Sequence, residues 1–352
     1  GKPYVLRLRS QGSPDKEITF VDAIKGEIKL PENIHDIVLL KKDGIPTYHF
    51  AHAIDDHLMR TTTVVRGGEW LASAPIHYEL FHLLGFKMPA YAHTAHLMKF
   101  DEETGGKRKL SKRKDPELSL DYYRKDGYHP YTMKVYLLTL LNSNFEEWHE
   151  KFPDKDINEF PFSVEKMNQS GALFDKDKLH NICKNELSKL SEEELYDFLY
   201  DWAKENEPEN VEKWFGDREK MLQILRLYMG VGAKRRRKDL MYAKQIFELI
   251  SYFFDGESAE EMDEFKLDED MVSKILKSYL AKYDHNDDNS VWFNKLKEIA
   301  DEHGFASDMK AYKANPENFK GNVSDIAEAV RIAVTGRANT PDLWTIVHIM
   351  GE

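Results

Sequence analysis

The sequence predicts a multidomain chain in which an α/β portion is followed by an all-α remainder. Three observations predict it. The first forty residues carry short β-prone runs separated by polar turns. Residues 47–100 alternate helical periodicity with a β-branched run, a strand–helix alternation compatible with half of a doubly wound sheet. After Asp115 most apolar patterns repeat at helical spacing. With 352 residues, 41% of them hydrophobic and 12% aromatic, the chain can build substantial cores in two or three domains.

Taken in order, Tyr4 to Arg9 alternates apolar and basic residues, Ile18 to Val21 is β-prone, and Ile37 to Leu40 is a short buried-type run. The turns Gly12-Ser13-Pro14-Asp15 and Lys42-Asp43-Gly44 separate them. Entry from Gly1 directly into a strand leads us to expect a piece of something longer. Tyr48 to Leu58 reads as a helix, Thr62 to Val65 as a strand, and Ala74 to Leu84 as an amphipathic helix closed by Gly85. Further helices are expected over Thr132–Leu141, Ser191–Lys204, Lys220–Tyr228, Asp239–Phe254, Glu269–Tyr283, Ser290–Glu302 and Val323–Val334. Pro-, Gly- and acid-rich joints fall near 153–163, 206–217, 255–268 and 284–289, and no fixed-period repeat suggests a solenoid.

The formal charge of -12 does not by itself suggest a nucleic-acid partner, so phosphate binding needs local basic clusters. There are two: six basic residues among the eight from Lys107 to Lys114, and the run Lys234-Arg235-Arg236-Arg237-Lys238. The single cysteine, Cys183, excludes an intrachain disulfide and a Cys-rich zinc site, and its helical flanks suggest a buried inert thiol. No apolar run is long enough to span a membrane, and no signal core precedes Tyr4. A soluble cytoplasmic protein is the expectation.

Residues 104–115 join flexible glycines to dense positive charge. Such a loop can close over a triphosphate, with lysines as compact point charges and Ser111 or backbone N–H groups on the nonbridging oxygens. Composition alone favours a plain solvated basic loop. The surrounding blocks argue otherwise. Asp43-Gly44-Ile45-Pro46-Thr47-Tyr48-His49-Phe50-Ala51 is followed by Asp55-Asp56-His57. Then come Val64-Val65-Arg66-Gly67-Gly68-Glu69-Trp70-Leu71, Lys109-Leu110-Ser111-Lys112-Arg113, and finally Arg331-Ile332-Ala333-Val334-Thr335-Gly336 with Thr340-Pro341. In this order and spacing the chain resembles the class I glutamyl-tRNA synthetases of bacterial type.

The resemblance implies the C-terminal half of a class I Rossmann-type catalytic domain, followed by α-helical stem-contact and anticodon-binding domains. The expected boundaries are 1–44 for the end of the acceptor-binding insertion, 45–115 for the catalytic part, 116–205 for the stem-contact region and 206–352 for the anticodon-binding domain. It implies that Tyr48, His52 and Arg66 bind glutamate, for which the arginine fork and tyrosine hydroxyl are chemically suited. Glu69, Trp70, Leu97 and Met98 would line the ATP site together with Lys109, Leu110, Ser111, Lys112 and Arg113. Lys109, Ser111 and Lys112 would act on the phosphates. His52 stands where the glutamyl enzymes commonly carry Asn, and Gly67-Gly68 departs from the usual Arg-Gly-Glu or Arg-Ala-Glu.

The resemblance also implies a His-Ile-Gly-His motif that holds the triphosphate. The chain does not contain it; His49-Phe50-Ala51-His52 has similar histidine spacing but lacks the glycine. The expectation is therefore an N-terminally truncated ligase whose ATP–Mg2+ site is incomplete and which is inactive alone. No zinc or other metal site is expected. Lys234, Arg235, Arg236 and Arg237 read as phosphate contacts to tRNA, since positive charge at a helix N-terminus opposes the helix dipole and calls for a partner. Arg331, Thr340 and Leu343 align with anticodon-contacting positions, a use to which Arg, Thr and Leu are suited. The expected partners are tRNA(Glu), glutamate and ATP, with the chain a monomer. A glutaminyl or non-discriminating relative, motivated by His52, and a non-catalytic tRNA-binding module are the alternatives.

Overall fold

The computed structural model describes residues 4–101, 103–254 and 262–351. Part of the joint expected at 255–268, and the Gly1 end of the chain, lie outside the described residues. The strands are β1 (Leu6–Arg7), β2 (Glu17–Asp22), β3 (Gly26–Pro31), β4 (Val38–Leu40), β5 (Thr63–Gly67), β6 (Ala90–Thr94), β7 (Met98–Phe100) and β8 (Lys107–Lys109). The helices begin with α1 (Tyr48–Leu58), α2 (Ala74–Leu83), α3 (Leu120–Asp126), α4 (Pro130–Leu141), α5 (Phe145–Lys151), α6 (Lys176–Leu187), α7 (Glu192–Asn206) and α8 (Val211–Phe215). They continue with α9 (Arg218–Met229), α10 (Ala243–Ile250), α11 (Glu269–Lys282), α12 (Asn289–His303), α13 (Met309–Ala314), α14 (Val323–Thr335) and α15 (Leu343–Met350). An α/β portion followed by helices is what the patterning predicts.

The chain forms two compact units, one of residues 1–119 and 133–177, the other of residues 120–132 and 178–352. The first unit holds a sheet of order β3-β2-β6-β5, in which β2 and β3 are antiparallel while β6 runs parallel to both β2 and β5. In the register of β5 and β6, Arg66 stands opposite His93. Residues before 44 thus share a sheet with residues of the following segment. Phe20, Ala74 and Tyr91 close one core at this sheet, and Leu8, Leu39, Ala53, Leu80 and Phe81 another between β4, α1 and α2. The helix α1 begins at Tyr48, and α2 carries Pro75 in its first turn, where a missing N–H costs nothing. Gly85 follows with φ 68°, the left-handed conformation that ends a helix.

The second unit is helical. Ser191 caps α7 with a full capping box to Glu194, and Leu195, Leu199 and Ala203 on its inner face meet Leu222, Leu225 and Ile246 in the largest core. A second core joins α11, α12, α14 and α15 through Ile275, Leu296, Ile299, Ile326, Val330 and Leu343. Cys183 is buried against Thr132, and burial pushes its thiol up to about 11. Asp239–Phe254 is shorter as an α-helix than its pattern suggests: α10 starts only at Ala243 and gives way to a 3-10 turn at Ser251. No helix among the described residues is long and apolar enough to cross a membrane.

Candidate functional site

The first unit gathers an unusual set of polar side chains beneath β5 and β6. Asp22, at the end of β2, is 1% exposed, and its carboxylate accepts hydrogen bonds from the backbone N–H groups of Ile24, Lys25 and His93. It also lies 2.6 Å from His93 Nδ1. Burial pulls its pKa up, but these bonds outweigh burial and hold it below the ordinary value. Arg66 Nε donates to His93 Nε2 at 2.9 Å, and Arg66 Nη1 lies 3.2 Å from His77 Nδ1. His77 Nε2 in turn is 2.9 Å from His49 Nδ1. His77 is fully buried, and burial together with the neighbouring cation and imidazoles lowers its pKa to about 2.

Around this chain stand aromatic walls. Arg66 sits over the Tyr91 ring at 4.8 Å, and Tyr48 packs against Trp70 with ring centroids 4.5 Å apart. The Tyr48 and His52 rings are parallel within 4°. His52 Nε2 is 2.7 Å from the Tyr91 hydroxyl, and Nδ1 is 2.6 Å from Asp56 Oδ2, off the line of a hydrogen bond, so that contact is electrostatic. Both ring nitrogens of His52 therefore face protein groups. Tyr48, His52, Arg66 and Trp70 are brought into one cluster. Glu69 stands aside from it: its carboxylate folds back over Gly67, where a Cβ would come within 2.2 Å of Oε2, and it faces His96 at 3.5 Å.

The basic loop lies in the same unit. Within it Lys107–Lys109 are a strand, not a free loop: they pair with Met98–Phe100. Arg108 is committed to Asp115 through two bonds of 2.7 Å, and Ser111 N–H donates to the same carboxylate. Leu110 is buried and donates to Leu97 O. Lys109 Nζ is 3.4 Å from His96 Nε2, which links it toward Glu69. Lys112, Arg113 and Lys114 are exposed and make no ion pair among the described residues. At Met98 both backbone polar groups are engaged, the N–H by Ala172 O and the C=O by Phe174 N–H. Leu97 lines a cavity of about 240 Å³ with Thr94, Ala95, Leu140 and Met167.

In the second unit, the run from Lys234 does not sit at a helix N-terminus. It follows Gly230, the left-handed cap of α9, and ends five residues before α10. Positive charge there favours the α9 dipole, so the electrostatic conflict expected from the sequence does not arise. Arg237 pairs with Asp239 and Lys238 with Asn185, while Lys234, Arg235 and Arg236 are exposed. Arg331 Nη1 donates to Thr340 Oγ1 at 2.7 Å and to Pro341 O at 2.9 Å. Thr340 is buried, and Leu343 is 3% exposed within the core, so its side chain is not presented to a base in this structure. Arg235, Arg237, Pro341, Asp342 and His348 line one cavity of about 680 Å³.

Residues 1–181 match the family described as tRNA synthetases class I (E and Q), catalytic domain. The chain belongs to that family. Among its relatives, the glutamate–tRNA ligase of Acetivibrio thermocellus is 54% identical over 351 residues, which are 99% of this chain and 63% of the relative. That of Clostridium perfringens is 46% identical over 357 residues, covering all of this chain and 65% of the relative. The chain therefore spans somewhat under two thirds of the length of these relatives. A solved glutamate tRNA ligase from Elizabethkingia meningosepticum, in complex with its amino acid, shares the fold at TM-score 0.70 and 24% identity, over 99% of this chain and 66% of that one. The glutamate-tRNA synthetase of Elizabethkingia anophelis gives TM-score 0.67 at 25% identity with the same coverage.

Asp22, His49, His77, Tyr91 and His93 did not stand out in the sequence as site residues. The available signal was density: His49, His52, His57, His77, His82, His93 and His96 are half of the chain's 14 histidines.

Proposed function

We propose that these 352 residues are the amino-acid-pocket and lysine-loop portion of a glutamate–tRNA ligase, together with helices that bind its tRNA. Arg66 carries the reading. Its guanidinium is oriented by two imidazole nitrogens beside Tyr48, and Nε and one N–H of Nη1 are spent on them. Among the described residues the Nη2 group makes only a 3.4 Å contact to Trp70 O, so a donor fork remains for a carboxylate. The family match over residues 1–181 supports adenylation of glutamate by ATP, followed by transfer to the tRNA 3′ end. Tyr48 and Arg66 then hold glutamate, His52 and Trp70 wall the pocket, and Glu69, Leu97 and Met98 border the nucleotide. Lys109, Ser111 and Lys112 act on its phosphates, with Leu110 and Arg113 beside them. Mg2+ would enter with the nucleotide, as part of that substrate.

The histidine tetrapeptide implied by the resemblance is not in this sequence, so the proposal assigns the chain only part of the adenylation machinery. We further propose domains at 1–44, 45–115, 116–205 and 206–352, a monomeric state and a cytoplasmic location. The cavity flanked by Arg235, Arg237 and Pro341 supports an RNA-facing role for the second unit. The test is Lys112→Ala in the full-length protein, read as glutamate-dependent exchange of pyrophosphate into ATP. Loss of one transition-state charge contact should cut the rate about 10²–10³-fold. Unchanged exchange would reduce the loop to a solvated basic segment.

A further inference from the structure

We propose that His49 is a specificity-determining donor, whose outer ring nitrogen is fixed as a neutral N–H by the chain Asp22–His93–Arg66–His77–His49. It selects a carboxylate oxygen over an amide nitrogen in the bound amino acid. This deepens the reading of the pocket as a glutamate site and rests on it.

The proton positions follow from one fact: a guanidinium can only donate. Arg66 Nη1 faces His77 Nδ1 at 3.2 Å, so Nδ1 accepts and the proton of neutral His77 sits on Nε2. That N–H meets His49 Nδ1 at 2.9 Å, which must accept in its turn. Neutral His49 therefore carries its proton on Nε2. Protonating the ring would set two N–H groups against each other and place a second cation beside Arg66. Burial and the Arg66 charge both hold His49 below the ordinary imidazole value.

The other flank is sealed. Arg66 Nε donates to His93 Nε2, so His93 carries its proton on Nδ1 and donates to Asp22, itself buried. The chain thus has one open end, His49 Nε2, on a half-buried ring that makes no other hydrogen bond among the described residues.

The chemical consequence is that the two charged or ring-nitrogen groups of the site, Arg66 and His49, offer donors only. The remaining Arg66 N–H groups and His49 Nε2–H all offer hydrogen, and neither side chain can reverse its role while the chain is intact. The Tyr48 hydroxyl can donate or accept and cannot discriminate by itself. A glutamate side chain presents acceptors only and satisfies them. A glutamine amide presents an NH2 that finds no acceptor among them. Polar groups left unpaired in this way are the strongest source of discrimination available to a binding site.

Two measurements test this. Long-range ¹H–¹⁵N correlations of histidine rings in the 352-residue chain at pH 7 should show the Nε2–H tautomer for His49 and His77 and the Nδ1–H tautomer for His93. In the second, His49→Asn leaves an amide oxygen to accept from His77 at the place of Nδ1, while its NH2 is too short to reach where the Nε2–H stood. The ratio of L-glutamate to L-glutamine affinity, titrated by NMR, should fall about tenfold or more, as befits a charge-assisted hydrogen bond. Thermal unfolding should stay unchanged. A proton on His49 Nδ1, or an affinity ratio unmoved by His49→Asn, overturns the inference and leaves the pocket reading standing. Failure of the unsubstituted chain to bind L-glutamate removes both.

Discussion

Acid should weaken the first unit through His77, by an amount the structure sets. In an unfolded chain this imidazole titrates near 6.5, whereas in the folded unit its pKa is about 2, with burial the leading cause. Between those values the native state binds fewer protons than the unfolded one, so stability is complete above pH 6.5 and falls as the pH drops toward 2. Each unit of pH costs about 1.4 kcal/mol, which makes about 2.7 kcal/mol at pH 4.5 from His77 alone. His49, His52 and His93 are lowered too, each by burial first, and act in the same direction. Asp22 adds nothing in this window: its folded pKa lies below the ordinary carboxylate value of 3.8, so its contribution is lost only at lower pH. Against a typical domain stability of about 5–15 kcal/mol the His77 effect is large. The assay is urea unfolding from pH 7.5 to 4.5, with amide exchange in β5 and β6 as the local readout. His77→Gln supplies a neutral acceptor for Arg66 and removes the titration. Below pH 6 the slopes of the two proteins should differ by about 1.4 kcal/mol per pH unit. Identical slopes, or a His77 ring that titrates near 6.5, would refute the reasoning.

Three further outcomes are expected. Asp115→Asn should loosen the base of the basic loop, because Arg108 and the Ser111 amide share that carboxylate; amide exchange at Ser111 should accelerate while β5 and β6 stay protected. Gly127→Ala should destabilise the second unit strongly, since φ is 79° there and an added Cβ would lie 2.5 Å from Ala243 Cβ and 2.7 Å from Trp202 Nε1; thermal unfolding checks it. Replacing Lys234, Arg235 and Arg236 together by Ala should weaken tRNA binding and flatten its salt dependence by about 0.7–0.9 in log–log slope per lost phosphate contact, as measured by gel shift across salt.

The parts of the fold that were legible are those where one residue pattern decides one element. Tyr48–Leu58 is a helix to the residue, and Ser191 with Glu194 announces the start of α7. The strand β6 was not legible: Ala90-Tyr91-Ala92-His93-Thr94 has little β character, and its place is fixed by parallel pairing to β5, a long-range partner no local window contains. The same holds for β8, whose Lys-Arg-Lys run looks like loop until Met98–Phe100 pairs with it. At the candidate site, Tyr48 and Arg66 stand in recognisable blocks. The Asp22–His93 contact spans 71 residues, and His77 sits in a helix whose apolar pattern accounts for it without a polar role. The run at Lys234 misled because the helix that Asp239–Phe254 suggested begins later, and the cap at Gly230 changed the sign of the dipole argument.

Arg66 is dressed in neutral bases. Among the described residues no carboxylate lies within ion-pair distance of it, and the acid at the end of its chain, Asp22, is one imidazole removed. In the proposed glutamate pocket, a cation solvated this way attracts a counter-ion from the medium while the amino acid is absent. Chloride, acetate and phosphate are then competitors rather than bystanders. Affinities measured for this pocket in different buffers will not be comparable until the anion is held fixed. A shift on changing sodium chloride to a salt of a bulky anion at equal ionic strength would separate that competition from ordinary screening.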